Sequence, residues 1–370
     1  MSIKTKEQKI FEIAIGLIPG VGNLISKQLL SYCGSAENIF KYSKPKLLKI
    51  PNIGDVLAKQ ILESDVLKQA EKELEKAEKN NIKIIFYTDE EYPQRLKRFA
   101  DSPTLLYMKG NTNLNPKKSI GIVGTRNATE YGKEITEQII KEFSEVNPHI
   151  ISGLAYGIDI AAHKSALKYD LPTIGVMASG IDIIYPSVHK STALEMQKKG
   201  AIITENAIGT IPDAPRFPAR NRIIAGLSDI IIVVEAAEKG GALITAEIAN
   251  DYGVDVYAVP GKITDKFSMG CNKLISSNKA AIFRNTKDLL ELLGWNVENS
   301  QTQTKKLHTD HQLEGEERKI YELIFSESNI GIDELAWKAE MNINKISNVI
   351  LQLEFKNIIK TLPGKKFKIL

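Results

Sequence analysis

Four stretches of the chain carry residue types suited to holding an anion. Gly124-Thr125-Arg126-Asn127 follows the apolar run Ile120–Val123, and Gly153-Leu154-Ala155-Tyr156-Gly157-Ile158-Asp159 follows Ile150–Ser152. Glycine lets a backbone approach a phosphate, N–H groups at a helix start donate to it, and an arginine adds a fork of donors to the same oxygens. Such glycines also serve simply as tight strand-to-helix turns, but two adjacent loops with Arg126 in the first favour a phosphate site. The third stretch, Arg216-Phe217-Pro218-Ala219-Arg220-Asn221-Arg222, puts three arginines, an amide and an aromatic ring within seven residues. It offers charge for a polyanionic backbone and a flat face for a base; the alternative is a solvated turn around a core phenylalanine. The fourth is Lys239-Gly240-Gly241, where two glycines can again bring N–H groups to an anion.

Other chemistries find less support. Glu235 and Glu247 flank the last glycine pair and are candidate catalytic carboxylates, although a carboxylate after a strand commonly serves as a cap or ion-pair partner. Gly121-x-x-Gly124 is not the dinucleotide fingerprint Gly-x-Gly-x-x-Gly, and no Gly-x-x-x-x-Gly-Lys-Ser/Thr loop exists, which disfavours a standard NAD enzyme or ATPase. The histidines His149, His163, His189, His308 and His311 lack metal-ligand spacing, so no metal is expected. No Gly-x-Ser-x-Gly or Cys–His signature points to a covalent hydrolase.

These loops need elements to position them. From Ile82 onward the chain alternates short apolar runs with helical stretches: Ile84–Tyr87, Leu105–Met108, Ile120–Val123, Ile150–Ser152, Thr173–Met177, Ala201–Thr204, Ile230–Val234, Val254–Val259 and Ala280–Phe283. Continuous apolar strands separated by helices predict a parallel sheet covered on both faces, with ligands at the carboxyl ends of its strands. Residues 1–80 read as helical, with Ile10, Phe11, Ala14 and Leu17 at helical spacing. Within them Ile18-Pro19-Gly20-Val21-Gly22 returns 32 residues later as Ile50-Pro51-Asn52-Ile53-Gly54, a weak internal repeat. A helix–hairpin–helix of this kind either offers hairpin N–H groups to a DNA phosphate or merely packs. Residues 297–312 are polar and aperiodic, a linker. Residues 313–370 hold helical stretches followed by two short strands around Pro363-Gly364, which suggests a winged helix.

The 370 residues, 43% hydrophobic and 25% charged, have ordinary globular composition and room for two or three domains. The net charge of +4 is too small to mark a nucleic-acid binder in bulk, so an anionic partner must be met by a local patch. Residues 311–370 carry nine basic and nine acidic residues, so a winged helix there is as suited to protein as to duplex DNA. Two distant cysteines, Cys33 and Cys271, rule out a zinc ribbon or disulfide scaffold and fit a reducing cytoplasm. No apolar run reaches 18 residues and the N-terminus has no signal-peptide core, so no membrane partner is expected.

The central region resembles the DNA-processing protein A (DprA/Smf) family of natural transformation. The resemblance rests on Gly124-Thr125-Arg126 with Tyr131-Gly132, Ser152 through Asp159, His163 with Ala166-Leu167, Asp182 with Tyr185-Pro186, Phe217 through Leu227, Leu243-Ile244-Thr245-Ala246, and Val259-Pro260-Gly261, in order over residues 82–285. The chain departs from the family where Lys239-Gly240-Gly241 replaces a common Lys-Ser-Gly, which keeps the donors and loses a hydroxyl. The resemblance implies an α/β protein with an extended Rossmann-like, doubly wound parallel sheet (81–296). An N-terminal helix–hairpin–helix or SAM-like domain (1–80) and a C-terminal winged helix (313–370) flank it. It implies a homodimer without cofactor or catalytic activity, which binds single-stranded DNA, protects incoming strands and loads the RecA recombinase in place of single-strand binding protein. Arg126, Phe217, Arg220 and Arg222 are the DNA contacts it implies directly. Gly124, Thr125, Gly153, Ser179, Arg216, Asn221, Lys239, Gly240 and Gly241 complete the candidate surface. The rival expectation is a nucleotide phosphoribohydrolase of the LOG-like Rossmann class, whose glycine-rich motif and following glutamate would fall near Lys239–Glu247.

Overall fold

The computed structural model describes residues 4–295, 313, 315–326, 330–339, 341–356, 358–362 and 366–369. The expected linker 297–312 and the Pro363-Gly364 turn lie outside the described residues. The chain divides into two compact units, Met1–Val297 and Glu298–Leu370.

Each expected apolar run of the first unit is a strand: β1 (Lys83–Phe86), β2 (Leu105–Gly110), β3 (Ser119–Val123), β4 (His149–Gly153), β5 (Thr173–Val176), β6 (Ala201–Thr204), β7 (Ile230–Val233), β8 (Asp255–Ala258) and β9 (Ala281–Ile282). They form one sheet in the order β1-β2-β6-β5-β4-β3-β7-β8-β9. From β6 to β9 neighbouring strands run parallel, whereas β2 pairs antiparallel with both β1 and β6. Every residue of β3, β5, β6 and β7 is buried, as expected for strands covered on both faces. The chain winds outward from β3 through β4, β5 and β6, then returns to β7 on the other side of β3. That reversal opens a crevice at the carboxyl ends of β3 and β7, where open α/β sheets bind ligands.

The helical N-terminal part begins at Thr5, which caps the helix Lys6–Leu17 by a reciprocal pair of bonds with Gln8. The internal repeat is real in the backbone. Gly20 and Asn52 both adopt left-handed φ values, 79° and 62°, a conformation that glycine and then asparagine tolerate best. Gly22 and Gly54 then open the helices Asn23–Cys33 and Asp55–Glu63 with nearly the same dihedrals. Residue 80 marks the change from helix to strand, but the core does not divide there. Ile13, Leu29 and Ile39 share one apolar cluster with Phe86, Tyr107, Met177 and Ile202 of the sheet region. The expected domain boundary is therefore a change of periodicity inside one compact unit.

The second unit packs the helices Gly315–Ser326, Ile332–Ala339 and Ile343–Phe355 on Ile320, Leu335, Ile346 and Leu353. Three short strands, Ile330–Gly331, Ile359–Leu362 and Lys366–Ile369, form an antiparallel sheet with the last strand in the middle. Three helices with a terminal hairpin make the expected winged helix. No helix among the described residues is long and apolar enough to cross a membrane.

Candidate nucleic-acid interface

The crevice between β3 and β7 is a cleft of about 620 Å³. The loop after β3 supplies Gly124, Thr125, Arg126 and Asn127; the loop after β7 supplies Lys239, Gly240 and Gly241; Phe217, Arg220 and Asn221 come from the helix Arg216–Leu227. That stretch is a helix despite Pro218, which falls in its first turn, where a missing N–H removes no intrahelical bond.

The two glycine loops are stitched to each other by Glu235. Its backbone carbonyl accepts from Thr125 N–H (2.7 Å), and its buried carboxylate accepts from Thr129 N–H (2.9 Å) and the Thr129 hydroxyl (2.5 Å). The Thr129 oxygen in turn caps the helix Glu130–Phe143 by accepting from Gly132 N–H. Glu235 is thus committed to holding the β3 loop in place. The other candidate carboxylate, Glu247, is exposed and paired with Lys279 at 3.0 Å.

Helical geometry separates the arginines that the sequence groups. Phe217, Arg220, Asn221 and Ile224 fall on one face, at i, i+3, i+4 and i+7, and all four line the cleft. Arg222, about 200° around the axis from Arg220, points the opposite way. It pairs with Glu205, which also accepts from Asn23 Nδ2 of the N-terminal helices (3.3 Å). Arg216 is turned aside too, donating to Asn206 Oδ1 (2.9 Å) and lying 3.2 Å from Asp213 Oδ1. Neither Arg216 nor Arg222 lines the cleft.

Arg220 forms the floor. It is 6% exposed, donates to Val176 O and to Asn221 Oδ1, and lies near buried Asp159. Burial lowers the pKa of Arg220, while Asp159 favours its charge. Burial raises the pKa of Asp159, while Arg220 and the Ala155 N–H pull it back down. Gly153 explains how the two groups fit: a Cβ there would lie 2.3 Å from the Asp159 carboxylate and 2.4–2.5 Å from the Arg220 guanidinium. Its absent side chain makes room for these groups. Behind it His163 bridges the Gly153 carbonyl and Thr173 Oγ1, each at 2.7 Å, and burial pushes its pKa down to about 4. Ser179 is buried, and its hydroxyl donates to Ile183 O (2.6 Å) within its own turn.

The rim is exposed and cationic. The Arg126 guanidinium lies over the Phe217 ring, 4.9 Å from its centroid. Lys239 is exposed; Gly240 and Gly241 open the helix Gly241–Asp251, and a Cβ at either would meet nothing within 4 Å. The amides at this helix start have no side-chain cap and carry the positive end of the helix dipole. Two rings absent from the sequence-derived set also stand here. Tyr185 lines the cleft at a centroid distance of 6.0 Å from Phe217, and Tyr156 lines an adjoining pocket together with Tyr185, Arg126 and Phe217. Both lie in the motif stretches; the signal that sets them apart, exposure beside a cationic cleft, appears only in three dimensions. Among the described residues no cluster of histidine, cysteine or acidic side chains could hold a metal ion.

Comparison with known proteins places this geometry in context. Residues 83–294 match the family described as DNA recombination-mediator protein A, and residues 305–365 match the DprA winged helix domain. The chain is 42% identical to the DNA processing protein DprA of Bacillus subtilis over 57% of this chain and 71% of that protein. The X-ray structure of DNA processing protein A from Streptococcus pneumoniae superposes with a TM-score of 0.66 at 32% identity, covering 79% of this chain and 98% of that one. A Helicobacter pylori DNA processing protein A structure, whose description concerns its single-stranded DNA binding mode, gives 0.52 at 29% identity, covering 57% and 95%.

Proposed function

The chain belongs to the DNA recombination-mediator protein A family, and from that footing we propose that it binds single-stranded DNA, protects incoming strands, and loads the RecA recombinase onto them. The observation that carries this reading is the composition of the cleft. Uncapped amides of Gly241 and Ala242, the exposed cations Arg126 and Lys239, and the floor charge of Arg220 meet where aromatic rings stand open. Phosphates meet the amides and cations; bases meet the rings. The description of the Helicobacter pylori relative supports the same ligand. In this reading the protein works by binding, as a homodimer that takes the place of single-strand binding protein and hands the strand to the recombinase.

A nucleotide-hydrolysing role would need a carboxylate at the cleft with a free oxygen for the chemistry. Of the two carboxylates that line the cleft, Asp159 is buried beside Arg220 and Asp213 is engaged by Arg216, whose Nε and backbone N–H both lie 3.2 Å from its Oδ1; Glu235 is spent on Thr129 and Glu247 is paired with Lys279. The test is a titration of labelled poly-dT and of its duplex counterpart into the protein at two salt concentrations, with AMP as competitor. Tight, salt-sensitive binding to the single strand that AMP does not displace is expected. Absence of strand binding together with AMP occupancy would overturn the proposal. Recombinase loading is tested separately, by filament assembly on strands already coated with single-strand binding protein.

A further inference from the structure

Phe217 is the ring that the sequence nominates for stacking a base, yet one of its faces is covered. The Arg126 guanidinium sits over it at 4.9 Å, and the Tyr185 ring lies tilted by 55° beside it. A guanidinium held over a ring is placed by cation–π attraction, which suits Phe217 to aiming Arg126 rather than to receiving a base. The rings with free surface are its neighbours. Tyr185 is 49% exposed and Tyr156 is 51% exposed. Neither hydroxyl makes a hydrogen bond among the described residues, so neither ring is held out by its polar end. Both are set in place from below: Tyr156 packs edge-on against His189 at 5.0 Å, and His189 is buried and bonded to the Leu154 carbonyl (2.9 Å). Tyr185 rests against Phe217. The small pocket they share is continuous with the cleft, because Arg126, Ala155, Tyr185, Phe217 and Arg220 line both.

We infer that Tyr185 and Tyr156 form the base-stacking shelf of this protein, a second subsite that carries the strand away from the phosphate-binding cleft, while Phe217 positions Arg126. The inference rests on the single-stranded DNA reading and names which side chains receive the bases. The occupant is a base of the same strand whose phosphates fill the cleft, since the two sites share a wall. Stacking on an aromatic ring tolerates every base, so the shelf adds affinity without sequence preference.

The test uses the full-length protein and dT oligomers carrying one 2-aminopurine at successive positions. Wild-type protein is expected to quench the fluorophore at one or two adjacent positions. Tyr185→Leu is expected to weaken binding by roughly 5- to 150-fold, the range measured for losing one base–aromatic stack. It should abolish the quenching without changing the salt dependence. Tyr185→Phe, which keeps the ring, should bind and quench as wild type; Tyr156→Leu should remove quenching at the neighbouring position. Phe217→Leu should instead lower the salt dependence, by freeing Arg126, and leave the quenching in place. Circular dichroism of each variant confirms that it is folded. Wild-type affinity and quenching in Tyr185→Leu, with quenching lost in Phe217→Leu, would overturn the shelf. Failure of the wild-type protein to bind the oligomers would instead overturn the reading beneath it.

Discussion

Arg220 and Arg222 are two residues apart in one Arg-Asn-Arg triplet, and the structure gives them opposite work. Substituting each in turn tests the cleft directly. Arg222 and Glu205 are 13% and 20% exposed, so the pair is mostly desolvated. Removing one partner of a fully buried pair costs about 3–5 kcal/mol, and the partial exposure here lowers that to about 2–3 kcal/mol. At about 2.1 cal/mol/K of unfolding entropy per residue, a unit spanning Met1–Val297 shifts by about 1.6 °C per kilocalorie, so Arg222→Ala should melt roughly 3–5 °C below wild type. Its affinity for poly-dT should stay within about twofold. Arg220→Met should behave differently. It removes a cation from the cleft floor, and a charge-assisted contact contributes about 1.5–3 kcal/mol, or about 10- to 150-fold in affinity. The slope of log K against log salt should also fall by about 0.7, the value for one phosphate contact on a single strand. Arg220→Met should be destabilised as well, because Asp159 loses the charge that offsets its burial. Fluorescence anisotropy across a salt series, with a thermal melt of each variant, reads all five quantities. If Arg222→Ala loses DNA affinity as Arg220→Met does while its melting temperature is unchanged, the separation of the two arginines onto opposite helix faces is wrong.

Arg126 is exposed and makes no ion pair among the described residues, so Arg126→Ala should weaken strand binding about 10- to 100-fold with an unchanged melting temperature, read in the same anisotropy and melting assays. Gly153→Ala should lower both stability and affinity, since its Cβ would strike Asp159 and Arg220. Gly241→Ala meets open space and should lower affinity alone, and equal melting temperatures for the two variants would refute the distinction. Burial pushes the pKa values of His163 and His149 down to about 4 from 6.5, so the unfolded chain binds more protons below pH 6.5. Stability should therefore hold above pH 6.5 and fall as the pH drops toward 4, each histidine contributing a loss of about 2 kcal/mol by pH 5. Urea midpoints at pH 7.5 and 5 measure this, and His163→Gln should show a shallower dependence.

Much of the fold was legible in the sequence because its strands are covered on both faces. A run such as Ile230–Val234 is apolar throughout, and only a central parallel strand needs that. The antiparallel edge was not legible. Ile84–Tyr87 and Leu105–Met108 read as strands like the others, but their direction and their place beside β6 depend on crossovers that carry no local mark. The boundary expected at residue 80 follows a true change of periodicity, yet periodicity reports an element and not where a core closes. Ile13 and Met177 lie in one cluster although far apart in the chain.

The site was legible as composition and not as geometry. Three arginines in seven residues signal a cationic patch, but a helix turns 100° per residue, so such a run distributes its charges around the axis. Only Arg220 faces the cleft, and the exposed cation opposite it comes from Arg126, some 90 residues earlier in the chain. The glycines divide in the same way. Gly153 is bare because Asp159 and Arg220 occupy the space beside it, whereas Gly240 and Gly241 are bare toward open solvent. The first pattern is what a protein requires to build its own floor, and the second is what it requires to let another molecule's backbone come close. That both patterns occur around one cleft explains how a chain of net charge +4 can present a concentrated anion site. Arg220 is fixed from beneath by buried Asp159, Arg126 is held over the Phe217 ring, and Lys239 stands exposed at the rim.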